Sequence, residues 1–390
     1  MSFNLKNKKY FIRNKQYSEE DYFKEIQKIN LGKYSNFKIL LKEFYDMIKY
    51  KSIYKYANIS KSINISGENI INSKNCKYCF GVHDAENSKY LIRAFNVKYS
   101  YDGYGVGGEL VYDGVASGVN AYNELFYFLN TGAYNITYSG FCHSSSNLFG
   151  CIGLRNKQYC ILNKQYTKEE YEELVPKIIK HMNDMPYIDK KGRVYKYGEF
   201  FPPELSPFCY NETIAQEYFP KTKEQALQEG YSWKEPEEKN IIPDIKTQDL
   251  PDHIKDVDDS IIGKIIQCEH SKINQDNTLE PTCNEMCTRG FKIIKEELQF
   301  YRRMNLPLPR LCPNCRHFQR LKQRNPLKLW KRTCQCQGKQ GKNPNNPNIY
   351  QNQTIHFHGN SPCPNEFQTS YSPDRPEIVY CEECYNQEVV

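Results

Sequence analysis

The last third of this chain carries one cysteine arrangement written twice. The first copy has Cys268, then Cys287 with Phe291 four residues on, then Cys312-Pro313-Asn314-Cys315. The second has Cys334, then Cys363 with Phe367 four residues on, then Cys381-Glu382-Glu383-Cys384. Tetrahedral Zn²⁺ takes four soft or borderline ligands, and two separated thiolate pairs supply them. The expectation is two Zn²⁺ sites. One uses Cys268, Cys287, Cys312 and Cys315; the other uses Cys334, Cys363, Cys381 and Cys384.

Long polar inserts separate the first two ligands of each copy. Residues 269–286 contain His270 and Cys283; residues 335–362 contain Cys336, His356 and His358. Such inserts add little closure entropy and read as surface excursions. They leave the first ligand of each site open. Cys283 is an alternate to Cys268, and Cys336, His356 or His358 is an alternate to Cys334.

A second chemical feature is a basic segment between the two copies. No Asp or Glu occurs from Leu298 to Asn365, while twelve Lys or Arg do. Arg316, Arg320, Lys322, Arg324, Lys328, Lys331 and Arg332 cluster within it, with His317, Phe318, Leu321, Leu329 and Trp330 interleaved. Arg316, Arg320 and Arg324 form an i, i+4, i+8 row on a helix expected to end before Pro326. Guanidinium rows suit phosphates, and a ring such as Trp330 can stack on unpaired bases. The segment therefore reads as a nucleic-acid-binding surface, against the plainer reading of a solvated helix between two zinc modules.

The elements that position these groups are less regular. At 390 residues and 39% hydrophobic content, the chain has room for two or three domains. Its 32 Tyr and 20 Phe supply core area. The excess of Asn, Lys, Ile and Tyr reads as an AT-rich genome. No apolar run has signal-peptide or membrane-span length, so the sixteen cysteines read as reduced thiols in a cytoplasmic protein with no membrane partner. Residues 234–260 hold nine acidic and four basic residues with Pro236, Pro243 and Pro251, which reads as an extended acidic linker.

Residues 7–22 and 156–171 match at ten of sixteen positions. Each copy reads as a hairpin around an Asn-Lys turn followed by a helix capped at Ser18 or Thr167. The helices are placed at 19–30 and 168–183, with another amphipathic helix at 36–50. Between the copies, short apolar pairs alternate with Asn, Ser, Gly and Asp, the signature of a β-solenoid needing capped ends. One self-match aligns Asn72-Ser73-Lys74 with Asn87-Ser88-Lys89. Residues 200–208 read as a proline-fixed strap docked on the solenoid, followed by a helix at 223–229.

Other cysteines carry less. Cys76 and Cys79 form a two-gap pair, and Cys142, Cys151 and Cys160 are nine apart; all read as thiols packed inside coils. Asp84, Glu86, Arg93, Asp102, Glu109 and Asp113 could serve a carbohydrate-active solenoid. No phosphate loop, dinucleotide fingerprint or nucleophile elbow occurs, so no catalytic residue is assigned.

The segment 371–385 resembles the closing half of small zinc ribbons proposed to bind DNA. More broadly, residues 156–171, 200–208, 291–310 and 324–330 resemble a Patescibacteria (candidate phyla) protein family with a cysteine-rich repeat region and a C-terminal zinc ribbon. That resemblance implies zinc ribbons and brings no activity with it.

The expected fold is mixed and mainly β: a capped β-solenoid, then a linker and tandem zinc-ribbon modules with connecting helices. The boundaries are 1–58 for the N-terminal hairpin–helix cap, 59–155 for the solenoid and 156–185 for the C-terminal cap. The strap and acidic linker follow at 186–260, and the two modules at 261–332 and 333–390. The expected function is zinc-dependent nucleic-acid binding. A protein–protein adaptor is the alternative, and a carbohydrate-active solenoid a weaker third.

Overall fold

The computed structural model describes residues 1–118, 120–235, 240–283, 285–338 and 350–389. From Asn69 to Leu162 the backbone enters the left-handed region at every third residue, with phase slips between Gly108 and Leu110 and between Ala116 and Asn120. The residue after most such corners points inward: Ile70, Val82, Leu91, Val97, Ile136 and Leu148 are all fully buried, whereas Lys157 and Asn163 near the far end are exposed. Three residues thus make one side, and four sides make one coil. Tyr122, Tyr134, Ser146 and Gln158 stack in parallel register on successive coils. About eight coils form a mainly β solenoid.

Left-handed backbone costs most residues about 1–2 kcal/mol, and Asn tolerates it best after Gly. Asn therefore recurs at the corners, as at 69, 72, 75, 87, 96, 123, 135 and 147. Its amides also bond from coil to coil. Asn64, Asn75 and Asn87 form one ladder at 2.9 Å per step, and Asn123, Asn135 and Asn147 form another at 3.0 and 3.1 Å. So the Asn excess has a structural task, whatever the genome's bias.

Inward Ser and Cys share a second device. Ser73, Ser100 and Ser139 donate to the carbonyl two residues back, and each accepts a backbone N–H from the next coil. Cys76, Cys79, Cys142, Cys151 and Cys160 are buried and direct their thiols to the same carbonyl position. They pack inside the coils, as read from the sequence.

The far end of the solenoid closes as expected. Lys164–Gln165 turns back antiparallel on Gln158–Ile161, and the helix Lys168–Asp184 follows with a full capping box at Thr167. The near end differs. The matching hairpin, Phe11–Ile12 with Lys15–Gln16, forms its own two-stranded sheet and leads into the helices Glu19–Lys28 and Tyr34–Tyr50. Arg13 of that hairpin pairs with Glu43 of the second helix. The second cysteine module lies against the first coil instead. Its strand Ile378–Tyr380 pairs in parallel with Ile53–Lys55, and Phe367 packs on Tyr56 at 5.2 Å. Sequence identity between the two hairpins reproduced their local shape but not their docking.

The strap docks on the solenoid. Tyr197 packs edge-on against Phe126 and Tyr138, and Phe201 against Phe128 and Tyr138. Tyr138 Oη donates to Glu199 O at 2.9 Å and accepts from Gly198 N at 3.0 Å. The helix Lys223–Gln228 starts at a Thr222–Gln225 capping box.

The acidic stretch is not a free tether where it is described; 236–239, with Pro236, lie outside the described residues. Leu250, Ile254 and Val257 interleave its charges and, with Ile261 just beyond it, fill the core of the first cysteine module beside Ile266, Phe291 and Leu298. Asp252 accepts from Ser35 N at 2.9 Å at the start of the helix Tyr34–Tyr50. Charge counting hid the apolar period between the acids. Among the described residues, no helix is long and apolar enough to cross a membrane.

Candidate metal centres

Both cysteine modules are built alike. In the first, Ile266–Gln267 pairs antiparallel with Gly290–Phe291, so Cys268 and Cys287 lie at the same end of a hairpin whose loop is the long insert. In the second, Trp330–Thr333 pairs with Glu366–Thr369 and brings Cys334 to Cys363. The other two ligands open a helix in each copy. Cys312 is the N-cap of Pro313–Leu321 and Cys381 that of Glu382–Glu388. The first ligand pair therefore comes from hairpin ends and only the second from a tight turn.

The matching extends to single hydrogen bonds. Cys312 N donates to Cys268 Sγ at 3.2 Å, and Cys381 N to Cys334 Sγ at 3.1 Å. Cys315 N and Cys384 N donate at 3.5 Å to Cys312 Sγ and Cys381 Sγ. Such donors, at a helix N-terminus, stabilise thiolates. Neighbouring sulfurs, Cys268 first for Cys312 and Cys334 first for Cys381, hold both thiols well below the usual range.

The ligand atoms of Cys268, Cys287, Cys312 and Cys315 lie within 4.8 Å of one another, as do those of Cys334, Cys363, Cys381 and Cys384. Four thiolates at about 2.3 Å from one tetrahedral ion stand about 3.8 Å apart. The Cys268–Cys315, Cys287–Cys312 and Cys363–Cys381 sulfur pairs are each 3.9 Å apart. Both sets could hold a metal ion of that geometry.

The alternates do not replace a first ligand. Cys283 sits 3.8 Å from Cys315, in a cluster with His270 and Glu285. Cys336, His356 and His358 cluster around Cys384. Each module thus holds two groups that share its last cysteine. Glu285 and the role of His270 were missed in the sequence. The signal was an offset common to both inserts: a ligand two residues after the first cysteine, then a pair with one residue between, Cys283-x-Glu285 or His356-x-His358.

The basic segment is only partly free. The helix ends at Leu321, so the expected row breaks before Arg324. Arg316 donates to Tyr301 Oη at 3.2 Å and pairs with Glu297. Arg324 lies 4.1 Å over the Tyr218 ring and donates to Glu217 O at 2.8 Å, which ties the strap to this module. Arg332 donates to Tyr371 O and Ser372 O. Lys322 pairs with Glu285, and Lys331 with Glu366 at 2.6 Å. Lys328 reaches the face of the half-buried Trp330. Arg320 is exposed. Lys339 and Lys342 lie outside the described residues.

Among the solenoid carboxylates, Asp113 is raised to about 6 by burial and by Asp102 and Glu199. Asp84 bonds Asn72, and Glu86 pairs with Lys98 at 3.9 Å. They form no shared constellation with Arg93, whose guanidinium faces Tyr104 and Tyr218. No family model, curated protein or solved structure matches this chain.

Proposed function

We propose that this chain is a zinc-stapled scaffold. Zn²⁺ in the two four-thiolate sites fixes the C-terminal modules, and the second module closes the first coil of the solenoid. The ligand chemistry supports zinc: four thiolates with no open position suit a structural ion rather than a catalytic one. The observation that carries the reading is the join between Ile378–Tyr380, which runs straight into Cys381, and Ile53–Lys55. Thr369 Oγ1 donates to Tyr56 O at 2.6 Å and Lys55 pairs with Glu382 at 2.9 Å across the same join. Metal binding then supplies folding energy to the solenoid's edge as well as to the module. In this reading the outward coil faces, where Tyr78 stacks on Tyr90 at 5.5 Å, serve protein partners.

Hydrogen exchange on the full chain, with and without a chelator, tests it. Metal removal should expose 261–389 and strip protection from 53–71. Unchanged protection at 53–71, or native protein without zinc, would overturn the reading.

A second reading, nucleic-acid binding, is favoured by the exposure of Arg320, Lys322, Lys328 and Lys331 within the acid-free stretch. Surface pairs such as Lys331–Glu366 are weak enough to exchange for phosphates. Its test is a mobility shift with single- and double-stranded DNA and RNA over a salt series.

A further inference from the structure

We propose that each cysteine module holds not one metal ion but a pair, bridged by its last cysteine thiolate, Cys384 in the second module and Cys315 in the first. This inference rests on the zinc reading above and adds a second ion to each site.

The second module shows the design most fully. His356 is buried, and its Nε2 lies 3.0 Å from Glu388 Oε2. A carboxylate only accepts, so Nε2 carries a hydrogen, and in the neutral ring Nδ1 then keeps a lone pair. That Nδ1 stands 3.1 Å from Cys336 Sγ. His358 is oriented in the opposite sense. Its Nδ1 donates to Ser361 O at 2.6 Å, which leaves the Nε2 lone pair 3.3 Å from Cys384 Sγ. A carboxylate or carbonyl that fixes the tautomer and aims the other nitrogen is the usual support of a metal-bound histidine. Cys336 is supported too: Asn352 Nδ2 donates to its sulfur at 3.0 Å, and Tyr380 Oη holds Asn352 at 2.7 Å.

Cys384 Sγ lies in both groups of the second module, so one thiolate there can serve an ion on either side. With Nδ1 bonded to Ser361 O, the neutral His358 ring offers its Nε2 lone pair to the second ion beside that sulfur.

The first module repeats the layout with other ligands. Cys315 lies 3.9 Å from Cys268 in one group and 3.8 Å from Cys283 in the other, so it occupies a corner of both. His270 Nδ1 and Glu285 Oε2 are buried, make no hydrogen bond and face each other at 3.4 Å. A buried carboxylate oxygen and ring nitrogen left in that state suit a cation between them. Lys322 holds the other carboxylate oxygen.

Charge permits pairs in both modules. With five thiolates in each and Glu285 added in the first, two dications leave one negative charge on the ligands of the second module and two on those of the first, of which Lys322 offsets one.

Native mass spectrometry of the full chain loaded with Zn²⁺ counts the ions, and ¹¹³Cd exchange reports bridging. Four ions are expected, with cadmium–cadmium coupling through the shared sulfur. His356→Gln with His358→Gln should lower the count to three, as should His270→Gln with Glu285→Gln. A count of two that both variants leave unchanged would overturn the inference while the zinc reading stands. Uncoupled cadmium signals in the wild-type chain would overturn the bridge without any variant. No metal at all would remove both readings.

Discussion

Glu124 is a carboxyl group sealed inside the solenoid, and it should make the coils weaken as pH rises. The residue is fully buried, and neither carboxylate oxygen has a hydrogen-bond partner. Burial raises its pKa from 4.5 to about 8, opposed by Asn130. Because the folded value lies above the unfolded one, the stabilising protonated form is fully present below pH 4.5. Between 4.5 and about 8 the unfolded chain releases its proton first, so stability falls; above about 8 the whole loss is in place. At about 1.4 kcal/mol per pH unit, the change between pH 5 and 8.5 amounts to about 4 kcal/mol. Glu124→Gln keeps the shape and removes the titration. Urea unfolding followed by far-UV circular dichroism, on metal-loaded full-length chains from pH 5 to 9, gives the measurement. The stability difference between variant and wild type should grow by that amount toward alkaline pH, with other titrating groups cancelling in the difference. Parallel pH profiles for the two proteins would refute the reasoning.

Gly114→Ala should cost about 1–3 kcal/mol by overpacking, since an added Cβ would lie 2.3 Å from the ring of the fully buried Tyr127; a urea melt checks it. Asn135→Ala removes two ladder bonds and places Ala in the left-handed region, and should lower solenoid stability by about 1–2 kcal/mol in the same melt. Arg324→Ala should loosen the strap by about 1–2 kcal/mol and raise hydrogen exchange at 215–218, while the zinc count stays as in wild type. If nucleic acid binds, Arg320→Glu with Lys328→Glu should weaken it and lower the salt slope by about one per lost phosphate contact; an unchanged slope would move the contact elsewhere.

The two four-cysteine sets that could hold metal were the most legible part of this chain. Thiolate spacing obeys the geometry of the ion, and the duplicate copy repeats it. What stayed hidden was that Cys315 and Cys384 each belong to two such groups, because that is a three-dimensional relation that spacing alone does not encode. The solenoid was visible as a composition but not as a register. The match of Asn72 to Asn87 spans five three-residue sides, whereas successive coils repeat after four, as in Ile70 against Val82. It kept the phase of the corners and slipped one side. The corners themselves accept Asn, Tyr, Asp, Leu and Phe, so no residue type marks them. The arginine row failed for a different reason. Helical spacing was read past Leu321, and the partners that occupy Arg316 and Arg324 come from Glu297, Tyr301 and the strap, all distant from the pattern.

The join between Ile53–Lys55 and Ile378–Tyr380 also sets an order of events in time. A ribosome adding roughly 5–20 residues per second needs about 15–65 s to travel from one strand to the other. During that interval the coils can stack from their own local contacts, while Ile53–Lys55 beside the first coil has no strand partner. An open parallel edge is a template for any passing strand. On the zinc reading proposed above, that partner comes with a metal-bound cysteine knuckle, so metal supply in the cell would set how long each new chain stays open to aggregation.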